Sequence, residues 1–107
     1  MNKWTVQDRY GNTIYLAEER WQHILESRPE MEPLIEKFLD TMRTGRRRQE
    51  ALIPNEYRYY KQVDELLPEN NHLIAKVVFK TQLDKTGNYV PNNFVVTGWP
   101  KYIVPKR

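Results

Sequence analysis

The chain has 107 residues, a formal net charge of +3 and no cysteine. That length holds one hydrophobic core, so a single domain over 1–107 is expected. Disulfide frameworks and thiolate zinc centres are excluded. No apolar run resembles a signal peptide or reaches the length of a membrane span, which makes a soluble, cytoplasmic protein the expectation.

Charge is unevenly placed. Residues 1–40 carry five basic and eight acidic side chains, whereas 41–107 carry twelve and six. The densest stretch is 43–61, R-T-G-R-R-R-Q-E-A-L-I-P-N-E-Y-R-Y-Y-K, where Arg43, Arg46, Arg47, Arg48, Arg58 and Lys61 face only Glu50 and Glu56. A phosphate-binding surface has this footprint, and a solvated charged turn is the plainer alternative.

In chain order, Trp4–Gln7 and Thr13–Leu16 are β-prone runs around a Gly11-Asn12 turn signal, which predicts a hairpin. Trp21, Ile24 and Leu25 recur at helical spacing, with Glu18 and Glu19 in the first turn. This predicts a helix from Ala17 to Ser27, stopped by Arg28-Pro29. A second helix follows with Pro33 near its first position. Leu34, Ile35, Phe38, Leu39 and Met42 form its apolar stripe, and Thr44-Gly45 its stop. The period then changes. Arg47–Ile53 and Tyr57–Val63 read as strands about Pro54-Asn55, and His72–Thr81 as a strong strand. Leu83–Pro91 reads as a polar loop, and Asn92–Val104 as a last strand broken at Gly98 or Pro100. Helices before strands imply an α+β fold, an antiparallel sheet covered on one face by the helices.

His23 falls about 200° round its helix from Trp21, off the apolar stripe. It is either a plain surface histidine or a site residue at the helix–sheet seam, where an imidazole suits proton transfer near neutral pH. Alternation sends Tyr57, Tyr59 and Lys61 to one face of their strand and Arg58 and Tyr60 to the other. Aromatic rings interleaved with Arg and Lys are a common way to hold single-stranded RNA, although strands are tyrosine-rich in any case. Thr97 is the one hydroxyl in an apolar stretch. Two distant histidines and no acidic cluster give no metal site, and no phosphate loop, dinucleotide fingerprint or nucleophile elbow is present.

The succession Y-G-N-T-I-Y-L, W-Q-H-I-L-E-S-R-P-E-M, arginine-rich strand entry, Y-R-Y-Y-K and F-V-V-T-G-W-P resembles the small phage- and mobile-element-associated nucleases grouped with barnase, EndoU, the colicins and RelE. The likeness runs from about Thr13 to Pro100. It implies a curled antiparallel sheet of about four strands, with an N-terminal hairpin and two helices on one face. It also implies metal-independent RNA cleavage by 2′-hydroxyl transesterification, with no cofactor. By that resemblance His23 is the helix-borne acid–base residue, and Thr97 touches the phosphate. Arg47 or Arg48, with Lys61, neutralises the phosphate, and Arg46 and Arg58 extend the same basic phosphate-binding surface. Where the family pattern has a second histidine this chain has Arg28, which leaves Tyr59 or Lys61 as the other proton carrier. A toxin of this type would meet RNA and a cognate antitoxin or inhibitor protein. The alternatives are a non-catalytic RNA- or DNA-binding module using the same basic, tyrosine-bearing face, and a protein-interaction domain.

Overall fold

The computed structural model describes residues 2–64, 66 and 69–105. Strands β1 (Lys3–Gln7) and β2 (Thr13–Ala17) lead into helix α1 (Glu18–Ser27), a 3-10 segment (Pro29–Leu34) and helix α2 (Ile35–Thr44). Strands β3 (Arg46–Gln49), β4 (Glu56–Gln62), β5 (His72–Val78), β6 (Thr81–Leu83), β7 (Tyr89–Pro91) and β8 (Asn93–Lys101) follow. No described helix is long and apolar enough to cross a membrane.

The fold is α+β, but the sheet is larger than expected. Six strands run in the order β1-β2-β8-β5-β4-β3. The hairpin is not a separate unit; it supplies the first two strands. β2 joins β8 in parallel through Ile14–Asn93 and Tyr15–Phe94, so the sheet is mixed rather than antiparallel. Asn93 strengthens that join by donating from its side-chain amide to the Thr13 carbonyl at 3.0 Å. The run read as a polar loop, Leu83–Pro91, closes instead as a ribbon of β6 with β7. Three-residue exposed strands, one containing proline, leave too little alternation to be read.

Both helices pack on one face. Leu73, Ala75 and Val77 of β5 and Val95 of β8 meet Trp21 and Ile24 of α1, with Phe38, Leu39 and Met42 of α2 above them. Phe38 is fully buried and stacks against Trp21 at 5.5 Å between ring centroids. Burying a side chain of this kind contributes roughly 1.5–3 kcal/mol. Its ring lies over Gly98, where any Cβ would collide with it. Gly98 therefore does not break β8, as the sequence suggested. It lets the strand run beneath α2. Gly45 follows the last residue of α2, as expected of the stop, and is extended at φ −71°. A Cβ there would lie 2.7 Å from the Tyr60 carbonyl oxygen, so close backbone approach selects the glycine.

Two irregularities of β8 prepare the site. Val77 pairs with Val95 and Lys76 with Thr97, so Val96 is an extra residue, a bulge that bends and twists the strand. No register pair joins β2 to β8 beyond Phe94. β2 ends at Ala17 and the chain turns into α1, which lies alongside Val96–Gly98.

Candidate nucleic-acid interface

Where β2 gives way to α1, a seam pocket of about 320 Å³ opens between the helix and the β8 bulge. Helical spacing puts Trp21 and Ile24 in the core and leaves Arg20, His23 and Ser27 on the pocket side. Pro29 stops the helix, so Arg28 leaves it at φ −140° and lines the same pocket. Thr97 and Val96 close it from the strand. His23 Nδ1 lies 3.5 Å from a Glu26 carboxylate oxygen, and the two side chains are 56% and 75% exposed, within reach of a bound molecule. A histidine, a carboxylate, two guanidinium groups and two hydroxyls thus share one opening.

The sheet face away from the helices continues from this pocket. Pairing places Arg48, Arg58, Lys76 and Thr97 in one row across β3, β4, β5 and β8. The next row is Arg46, Tyr60, Ile74 and Trp99. Two of the three cations in the first row are balanced: Arg58 Nε lies 3.3 Å from Glu50 and Lys76 Nζ 2.9 Å from Glu56. Arg46, Arg48 and Lys101 have no ion-pair partner among the described residues. A groove of about 470 Å³ runs between Arg48 and Lys101 over Tyr60, Ile74 and Trp99.

Three expected site residues lie elsewhere. Alternation correctly put Tyr57, Tyr59 and Lys61 on one face, but that is the helix-covered face. Tyr59 is fully buried and donates its hydroxyl to Asp8 Oδ2. Burial and the Asp8 carboxylate hold the phenol protonated far above its ordinary range, which removes it as a proton carrier. Arg47 Nη1 reaches the Tyr59 hydroxyl at 3.4 Å and Asp8 at 3.9 Å. Its guanidinium lies 4.4 Å from the Tyr10 ring and 4.3 Å from the Tyr57 ring, a cation held between aromatics. It is a core tether rather than a phosphate ligand. Lys61 donates to Asp40 of α2 and, at 2.7 Å, to the Thr44 hydroxyl. It lines a different depression, with Arg9, Arg46 and His72.

The structure thus brings His23 to Thr97 and Arg48 to Arg58, and keeps Tyr59 and Lys61 apart from both pairs. Glu26, Arg20 and Trp99 were missed. Glu26 was readable as the i+3 neighbour of His23 on one helix face, and Trp99 as the residue alternating with Thr97. His72, the first residue of β5, is half-buried; its Nδ1 lies 2.8 Å from the Asn71 side-chain oxygen. No three His, Asp or Glu side chains gather at ligand distance among the described residues. Comparison with family models, curated proteins and solved structures finds no match to this chain.

Proposed function

We propose that this protein is an endoribonuclease that cleaves RNA by transesterification in the seam pocket. The observation carrying this reading is that His23 and Thr97, far apart in the chain, line one opening together with Arg20, Glu26 and Arg28. Cleavage needs a base for the 2′-hydroxyl proton and an acid for the departing 5′-oxygen. Glu26 as carboxylate base and His23 as imidazolium acid fill these roles. The bond from O2′ to phosphorus forms as the bond to O5′ breaks, leaving a 2′,3′-cyclic phosphate and a 5′-hydroxyl. Arg20 and Arg28 flank the phosphorane, and Thr97 donates to a non-bridging oxygen. Arg28, where the family pattern has histidine, supplies charge rather than a proton.

Labelled RNA incubated in EDTA with wild type and His23→Ala tests this. The wild type is expected to give cyclic-phosphate ends. The variant should lose about 10²–10⁴-fold in rate while keeping its fold and RNA affinity. Unchanged cleavage by the variant removes His23 from the mechanism.

A second reading, a binding module without cleavage, is favoured by Arg46, Arg48 and Lys101, which have no ion-pair partner among the described residues, beside the half-buried Tyr60 and Trp99 on the open face. It expects no cleavage at any pH and an affinity that falls steeply with salt.

A further inference from the structure

The geometry points to a nucleobase-stacking subsite on the open sheet face, formed by Trp99 and Tyr60 and filled by an unpaired base of single-stranded RNA. It rests on the ribonuclease reading only for the placing of the cleaved bond. Tyr60 and Trp99 both flank Ile74 in the pairing register, one on each neighbouring strand. The isoleucine between them is only 4% exposed, whereas Tyr60 and Trp99 are half-buried. Aromatic area is therefore offered to solvent over a closed apolar floor.

The floor is held in place. Asn71 donates to the Ile103 carbonyl at 3.0 Å and accepts from the Ile103 N–H at 2.9 Å, fixing the segment that walls the groove. Arg58 lies 5.4 Å from the Trp99 ring centroid, with its charge already balanced by Glu50, so it braces the indole rather than competing for phosphate. The charges with no ion-pair partner among the described residues stand at the two ends, Arg48 and Lys101. An aromatic platform between two cations that have no ion-pair partner among the described residues matches a nucleotide strand, with base on ring and phosphates on either side. A base within a duplex keeps its faces stacked on its neighbours, so the platform selects unpaired segments. Trp99 lies two residues beyond Thr97, roughly 7 Å along the strand, which puts the stacked base next to the phosphate in the seam pocket.

The test measures binding of a labelled hexanucleotide of 2′-O-methyl RNA, which cannot transesterify, to the full chain. Trp99→Ala is expected to weaken binding about 5–100-fold. Trp99→Phe should recover most of that loss. A probe with one abasic position at the stacked nucleotide should lose a similar factor against wild type and nothing further against Trp99→Ala. The abasic arm needs no variant, so misfolding of Trp99→Ala cannot mask the answer. If each abasic position in turn leaves wild-type binding unchanged, or an acidic peptide of equal charge competes as well as the oligonucleotide, the surface is a general polyanion site and the inference falls. Because the probe is uncleavable, absence of ribonuclease activity would overturn the proposed function and leave this result standing.

Discussion

Two five-residue turns in this protein share the pattern Asp-x-x-Gly-Asn, and only one of them reaches the core. At 8–12 and again at 84–88, the Asp N–H donates to the Asn carbonyl, at 2.9 and 2.8 Å. One Asp carboxylate oxygen accepts from the backbone N–H two and four residues on, at 2.9 and 2.8 Å in the first turn and 2.8 and 3.0 Å in the second. Gly11 and Gly87 take φ +88° and +87°. Locally the turns are copies. What differs is the second carboxylate oxygen. In Asp8 it accepts from the buried Tyr59 hydroxyl and faces Arg47; the other turn is exposed throughout. The same local code closes a hairpin in both places, and long-range partners decide whether the hairpin belongs to the domain or projects from it.

Breaking the first turn should therefore have the larger effect. Asp8→Ala removes the acceptor for Tyr59 and the countercharge of Arg47 from a site whose carboxylate side chain is wholly buried. Leaving such groups unpaired costs roughly 3–5 kcal/mol, a large share of the 5–15 kcal/mol typical of a small domain. A urea-unfolding midpoint lowered to match is expected. A shift no larger than that of a surface substitution would mean the Tyr59–Asp8–Arg47 contacts contribute nothing net.

Acid sharpens the contrast. Burial pushes the Asp8 carboxyl up, but bonds from Tyr59, from Asn12 and from the Tyr10 N–H outweigh it and hold its pKa below the ordinary value. A depressed folded pKa means the contribution is full above the unfolded value of about 3.9. It fades as pH falls through the folded value. The difference in unfolding midpoint between wild type and Asp8→Asn should thus be constant near neutral pH and shrink below about pH 4. A gap that persists unchanged to strongly acid pH would show that the charge of Asp8 is not what the core uses.

These contacts also mark what the sequence could and could not convey. Periodicity located α1, α2, β4 and β5 within a few residues, because each buries one regular face. It also put His23 off the apolar stripe. It could not say which face of β4 the helices would cover. That choice is fixed by Asp8 and Asp40, which take Tyr59 and Lys61 as partners from distant parts of the chain. The grouping of His23 with Thr97 depends on a one-residue bulge in β8 and on the early departure of β2. Neither has a local signal. Arg47 and Arg48 look equivalent in R-R-R, yet one residue of register sends the first between two tyrosines and the second to the open face.

The smallest effect is expected at the other turn. Bonds from the Thr86 hydroxyl and the Asn88 N–H pull the Asp84 carboxyl below its ordinary range, so the group has local work to do. All of it is confined to the turn. The ribbon it closes has three residues a side, with Leu83 58% and Tyr89 75% exposed. Asp84→Ala should accordingly leave the global unfolding midpoint where it is. Amide exchange at Gly87 and Asn88 should accelerate, because that ribbon opens without disturbing the six-stranded sheet. If Asp84→Ala instead lowers the midpoint as Asp8→Ala does, the ribbon unfolds with the domain, and burial of the second carboxylate oxygen is not what separates the two turns.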